Sequence, residues 1–241
     1  MTADAFYRMT ELDRASWPEI RDQILHFEHD APLGEPRSYP GYPNWPLERV
    51  GPRLWPSLDR VLRSRRSERR LGIELPSRRT LSRLLRFAHG VHDTLGRGPT
   101  PSSGGLQSLE LYIVNLSAGW LPAGAYHFDR VNHHLAQVAT SASRERWQQM
   151  IPSLPLVEGG AILWIVVGDG ERIEKKYGPR GYRFLLLESG HLMQNLCLLS
   201  TSLGLATVPL GGFFEQEIAR ELRLPATDLV TYVGVVGNLG Y

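Results

Sequence analysis

From Gly181 to Gly204 the chain reads GYRFLLLESGHLMQNLCLLSTSLG, and its spacing predicts one long helix over 181–203 closed by Gly204. Most of its surface is apolar. Glu188, His191 and Asn195, however, fall at i, i+3 and i+7 with Gln194 beside them, so one polar stripe runs along it. Buried polar groups require partners, so this stripe faces a pocket, a subunit interface or water, or is satisfied inside the fold. Glu188-x-x-His191 has the spacing of a carboxylate-bridged metal site, but no second Glu-x-x-His accompanies it, and no metal is assigned.

Around this helix, helical and extended patterns mix without regular alternation. Leu12, Trp17, Ile20, Ile24 and Phe27 predict an amphipathic helix over 11–27. Further helices are expected from about 57 to 65, from 77 to 90 behind the N-cap Ser77, and over 215–222. Strands are expected over 109–115, 161–167, 206–210 and 229–236, with a hairpin formed by 125–128 and 135–138. Such an order implies an α+β fold rather than a doubly wound parallel sheet. The segment 30–55 is crowded with Pro, Gly, Tyr and Trp, which disfavours helix and central strand alike. It reads as an extended arm with aromatic anchors lying on the body. Two parts are therefore expected, an N-terminal helix and arm (1–56) and a main domain (57–241).

A single cysteine, Cys197, excludes an internal disulfide framework and any multi-thiolate metal site, and suits a reducing compartment. Residues 1–13 lack the pattern of a signal peptide, and the longest clean apolar run, 161–167, is far short of a membrane span. A soluble cytoplasmic protein without membrane contact is expected. The net charge of +2 does not call for nucleic acid. Charge is unevenly distributed: between Arg60 and Gly98 stand 11 Arg against Glu68, Glu74 and Asp93, a local excess of +8 that calls for an anionic partner. Of the 27 basic residues, 25 are Arg, which stays protonated in proteins, and only Lys175 and Lys176 can readily lose a proton.

Several stretches carry groups suited to chemistry. Ser64-Arg65-Arg66-Ser67-Glu68-Arg69-Arg70 supplies guanidinium forks and a hydroxyl, a combination suited to phosphate; a solvated helix end would look the same. Thr100-Pro101-Ser102-Ser103-Gly104-Gly105 allows close backbone approach to a ligand, though its spacing matches neither phosphate-binding glycine motif, and a plain loop fits as well. In Glu174-Lys175-Lys176-Tyr177-Gly178-Pro179-Arg180 a lysine that becomes a useful base because burial or cationic neighbours lower its pKa competes with an exposed charged loop.

Taken in order, RRSERR, PTPSSGG before LELYIV, LPAGAYHFD with HHLAQV, KKYGPRGYRF, LESGHLMQNLCLLSTSLGL and ATVPLGGFF resemble the SagB-type, azoline-oxidising branch of the nitroreductase superfamily over about 54–237. The resemblance implies a nitroreductase-like fold, with a central mixed, mostly antiparallel sheet flanked by helices, in a domain-entwined homodimer holding FMN at the subunit interface. It implies that Arg65, Arg66, Ser67 and Arg69 hold FMN phosphate and ribityl oxygens, that Pro101, Ser102, Ser103 and Gly104 lie beside the flavin, and that Pro209, Leu210, Gly211 and Gly212 face its reactive edge. Gln194 and Asn195 match the Gln-Asn of the interface helix, and Lys176 and Tyr177 the Lys-Tyr pair of azoline dehydrogenases. One departure is Asn238, which stands where the family often has a basic residue near the phosphate.

The implied reaction is oxidation of a thiazoline or oxazoline ring in a peptide to the aromatic azole, with Lys176 and Tyr177 assisting proton removal and hydride passing to FMN. A cyclodehydratase or a carrier protein would be the partner. Competing readings are an NAD(P)H-dependent nitro or quinone reductase, an oxidase of another amino-acid-derived intermediate, and a flavin-less scaffold subunit of a modification complex.

Overall fold

The apolar, β-branched run ILWIVVGD forms strand β5, Ile162–Asp169, which lies in the interior of the sheet and is buried on both faces. The computed structural model describes residues 3–11, 14–27, 36–51, 56–140 and 142–240. Its other strands are β1 (Asn44–Pro46), β2 (Leu109–Asn115), β3 (Gly124–Asp129), β4 (His134–Ala139), β6 (Leu205–Leu210) and β7 (Asp228–Asn238). They form one sheet in the order β1-β4-β3-β2-β5-β7-β6, and every pairing between these strands is antiparallel. The mixed character implied by the sequence is confined, among the described residues, to one isolated parallel bridge, Arg70 to Glu158.

Alternate residues of β5 enter two cores, as period-two geometry requires. Ile162, Trp164 and Val166 join the core covered by helices α4 (Arg78–His89) and α7 (Gly181–Ser202). Leu163, Ile165 and Val167 face the opposite core, which holds Trp147 and Met150 of α5 (Arg144–Met150) and Ile218 of α8 (Glu215–Glu221). The long helix α7 buries Leu185, Leu192, Met193, Leu196 and Cys197 and ends before Gly204, whose φ of +79° suits a residue without Cβ.

The expected helix over 11–27 is the shorter α2 (Trp17–His26), and a separate helix that was not expected, α1 (Ala3–Met9), precedes it. Pro18 in the first turn explains where α2 starts, since a proline is tolerated only where no backbone donor is needed. Leu12 lies outside the described residues. On α2, Gln23 Nε2 donates to the carbonyls of Glu174 and Lys175 at 3.2 and 3.1 Å, satisfying acceptors at the end of α6 (Gly170–Tyr177).

Much of the aromatic arm lies on the body as expected, while its positions 30–35 and 52–55 fall outside the described residues. Within it, β1 pairs with β4 at the sheet edge, where the missing N–H of Pro46 is tolerated. Trp45 meets Tyr126 edge-on at 5.3 Å, and the hydroxyls of Tyr39 and Tyr112 are 2.7 Å apart. Two further helices have no counterpart in the sequence expectations: α5, and α6 itself, which occupies the stretch left open as a charged loop.

Candidate active site

Helix α6 begins at Asp169, whose side chain accepts from the Arg172 N–H, and ends at Gly178, where φ is +53°. Its two lysines are used differently. Lys175 is exposed and pairs with Glu171 at 2.7 Å, one helical turn back. Lys176 is 2% exposed and, among the described residues, has no ion pair; its Nζ lies 5.0 Å from the Phe27 ring centroid and 5.6 Å from that of Tyr177. Burial lowers its pKa from the ordinary 10.5, which favours the neutral amine.

Tyr177 follows with its ring edge-on to Phe184 of α7 at 4.9 Å. Burial raises its pKa, and the charge of Glu188 acts in the same direction. Both α6 side chains converge on Gly104 in the loop before β2. A Cβ built on Gly104 would lie 2.4 Å from Tyr177 Oη and 2.6 Å from Lys176 Nζ, and its φ of +58° is itself a conformation glycine favours. No other residue type permits this approach without displacing the amine and the phenol.

The same loop is pinned from the other side. Glu188, buried on α7, accepts the Ser103 N–H at 2.6 Å, and the Gln107 N–H donates to Ser102 Oγ at 2.7 Å. Burial raises the Glu188 pKa, with the Ser103 donor opposing. The polar stripe thus divides. Glu188 points into the fold, His191 and Gln194 are exposed, and Asn195 is half-buried, donating to Thr100 Oγ1 at 3.3 Å and the Ala88 carbonyl at 3.4 Å.

The arginine segment leaves the C-terminal end of α3 (Leu58–Ser64), with Arg65 as its C-cap. Arg65 is half-buried, and its charge opposes the burial that pushes the Cys197 thiol up to about 11, so it lies beside α7. Arg66, Ser67 and Arg69 are exposed, and Arg66 folds one arm onto the carbonyls of Arg63 and Arg65. The C-terminal strand meets this segment: the Gly72 N–H donates to the Asn238 carbonyl at 2.8 Å, and Asn238 Nδ2 donates to the Glu74 carbonyl at 3.4 Å.

Pro209 and Leu210 end β6, paired with Gly234 and Val233 of β7. The exposed Gly211 would have no heavy atom within 4 Å of an added Cβ, whereas the Gly212 carbonyl accepts from Ser153 Oγ at 2.8 Å. Within the chain, then, Ser103, Gly104, Lys176, Tyr177 and Glu188 form one cluster. The contacts of the arginine segment and of the 209–212 turn lead elsewhere. The Glu188–Ser103 bond had no local signal beyond the stripe, because its two ends are 85 residues apart. Among the described residues there is no metal-binding group of three ligands and no helix long and apolar enough to cross a membrane.

This fold, with a polar cluster between α6, α7 and the loop before β2, belongs to a known oxidoreductase family. Residues 62–241 match the Nitroreductase family model, and the chain is a member of that family. It is 31% identical over 173 residues to the nitroreductase-type protein MJ1384 of Methanocaldococcus jannaschii, a match covering 72% of this chain and 87% of that protein. It is also 27% identical over 167 residues to the microcin B17-processing protein McbC of Escherichia coli, across 61% of this chain but only 56% of McbC. Among solved structures, a nitroreductase of Ralstonia eutropha JMP134 superposes with a TM-score of 0.72 at 22% identity, covering 86% of this chain and 94% of that one. The Escherichia coli microcin synthetase McbBCD complex with truncated pro-MccB17 bound matches at TM-score 0.61 and 22% identity, covering 98% and 87%. A nitroreductase of Exiguobacterium sibiricum in complex with FMN matches at 0.54 and 16%, covering 77% and 91%. At these identities the three structures speak to the fold.

Proposed function

We propose that this protein is an FMN-dependent dehydrogenase that oxidises an azoline ring in a peptide to the aromatic azole. The observation that carries this reading is the convergence of a buried, pKa-lowered Lys176 and Tyr177 on the backbone of Gly104. The likeness to McbC, a microcin-processing protein, and to the McbBCD complex supports it.

The residues present suit FMN. Arg66 and Arg69 are exposed, as a phosphate clamp at the end of α3 needs, and Gly104 and Gly211 offer open backbone to a flat ring. Bound there, FMN would supply the two-electron acceptor, taking a hydride equivalent from the ring carbon. Lys176, whose neutral form is favoured by burial, takes the ring proton, so the azoline loses two electrons and two hydrogen nuclei in all. Tyr177 stays protonated at neutral pH and holds the ring by its hydroxyl. Glu188 fixes the loop against which both act.

A complete site is expected in a homodimer. Leu186 and Leu187 are exposed on α7, and Leu58 and Leu62 on α3, an apolar surface that a second copy would cover. Residues 57–241 form the flavin domain in this reading, and 1–56 the arm. The partner is a cyclodehydratase that delivers the azoline peptide, or a carrier protein.

The test is an absorption spectrum of the purified protein followed by incubation with a thiazoline peptide. Flavin bands and a product lighter by two hydrogens are expected. A second reading, reduction of nitro compounds or quinones, follows the M. jannaschii relative; rapid bleaching of the flavin by NAD(P)H with no azole formed would favour it. A colourless protein that fails to take up FMN would overturn both and leave a scaffold subunit.

A further inference from the structure

A cavity whose lining includes none of Ser103, Gly104, Lys176, Tyr177 and Glu188 lies between the arm, the 95–96 loop, the end of the loop before β2, β2 itself, the turn after β3 and the N-terminal half of α6. It encloses about 180 Å³, room for an organic molecule of several heavy atoms rather than a single water. Arg37, Arg130 and Arg172 line it with Glu110 and Gln107, and Leu95, Leu106 and Val131 give it an apolar wall.

Accounting for ion pairs and hydrogen bonds singles out one guanidinium. Arg37 is paired with the buried Asp228 at 2.5 Å, and Arg172 with Asp169 at 3.2 Å. Glu110 accepts from His127 Nε2 at 2.8 Å, and its charge also acts on Arg130. Arg130, half-buried, donates its Nε to the His89 carbonyl and one Nη2 hydrogen to the Gly96 carbonyl, both at 3.1 Å, and among the described residues it has no ion pair. Its Nη1 has no hydrogen bond within the described chain, although a guanidinium carries five donors.

The surroundings carry further unmet demand. His127 Nδ1, His89 Nδ1 and Ser108 Oγ are buried without partners. His127 is bonded to the lining Glu110, His89 shares its backbone carbonyl with Arg130, and Ser108 follows the lining Gln107. These three residues adjoin lining residues and do not themselves line the cavity.

We infer that this cavity is a binding site for a small organic carboxylate: Arg130 receives the carboxylate, with Arg37 and Arg172 beside it, and Leu95, Leu106 and Val131 hold the apolar body. Such a carboxylate could belong to a free acid or to the end or side chain of a peptide. The inference stands apart from the flavin reading and survives its failure.

Titration calorimetry of the full chain with benzoate tests it, with benzamide as the neutral control of the same shape. Benzoate is expected to bind saturably with one site per chain, and benzamide at least ten-fold more weakly, about the value of one charge-assisted hydrogen bond. Val131→Trp fills the cavity from its exposed rim and should abolish the binding, while Lys176→Ala should leave it unchanged. Arg130→Met should weaken it at least ten-fold; because Arg130 also holds two carbonyls, Val131→Trp decides if that variant does not fold. N-acetyl-alanine, whose carboxylate ends a peptide-like unit, then separates the sources: binding as tight as benzoate assigns a peptide carboxylate, and its absence beside benzoate binding assigns a free acid. Equal binding of benzoate and benzamide, or binding that persists in Val131→Trp, or binding lost in Lys176→Ala overturns the inference.

Discussion

The Ser103 main-chain N–H donates to the buried carboxylate of Glu188 at 2.6 Å, and the next residue, Gly104, lies against Lys176 and Tyr177. One bond across 85 residues therefore sets where the loop meets the amine and the phenol. Replacing Glu188 by Ala leaves a buried donor unmet and should cost about 1–3 kcal/mol. Glu188→Gln separates the bond from the charge. Burial raises the Glu188 pKa above the ordinary 4.5, so the folded state binds more protons than the unfolded one in that window, and stability falls as pH rises through it. The Gln variant should therefore melt at or above the wild type at pH 8, with its advantage gone below pH 4.5. Thermal melts across pH check this, and a Gln variant that is less stable at pH 8 would show the charge to be stabilising.

Lys176 should separate activity from stability. Lys176→Ala is expected to keep the flavin spectrum and lose about 10²–10⁴-fold in azole formation, the range for a positioned base. In the wild type the rate should rise with pH through a lysine pKa below 10.5, and the variant should lack that limb. Lys176→Met tests the cost of burial. A lysine whose folded pKa is depressed destabilises the fold below that pKa, and the penalty fades as pH rises to 10.5. The Met variant should gain in Tm near pH 6 and lose the gain at pH 10.5, with about 0.5–2 kcal/mol of cation–π contact to Phe27 and Tyr177 offsetting part of it. A gain that does not vary with pH would mean packing, not charge, is responsible.

The arginine segment gives a test aimed at phosphate. If Arg66 and Arg69 hold the FMN phosphate, removing either should weaken FMN binding about 10- to 100-fold, the equivalent of one charge-assisted hydrogen bond. Riboflavin, which lacks the phosphate, should bind both variants as it binds the wild type. Fluorescence titration with the two flavins checks this. A loss of the same size for riboflavin would assign the arginines to the fold instead.

How much of this was legible in the sequence depended on the range of the interactions. Strand β2 was read at its observed bounds, and α4 from its cap Ser77 to Gly90, because period and capping are local signals. The residues of 174–180 alone left a base and an exposed charged loop both open, and the choice of Lys176 came from the family resemblance; on α6 its side chain is buried. The helix α6 itself was missed because its first turn and its charged face read as a loop; only the fold supplies the cover that buries Ile173 and Lys176. The polar stripe was read as one feature, yet α7 turns Glu188 inward and Gln194 outward, a division set by what packs on each side. The carboxylate cavity was invisible, since Arg37, Glu110, Arg130 and Arg172 come from four separate elements.

Gly104 provides the most direct test of the cluster. At φ +58° an alanine is strained by about 1–2 kcal/mol, and its methyl group would sit 2.4 Å from Tyr177 Oη and 2.6 Å from Lys176 Nζ. Both contacts are with the ends of side chains, so the protein can yield by turning the phenol and the amine away rather than by unfolding. Gly104→Ala should therefore lower Tm modestly, keep FMN, and reduce azole formation at least ten-fold, since displacement of reacting groups by about 1 Å costs up to a hundred-fold in rate. Gly105 supplies the control: its φ is +74° but an added Cβ meets nothing within 4 Å, so Gly105→Ala carries the backbone strain without the collision. Equal loss of activity in the two variants would assign the effect to loop strain and remove Gly104 from the site; a loss confined to Gly104→Ala would tie the rate to the position of Lys176 and Tyr177.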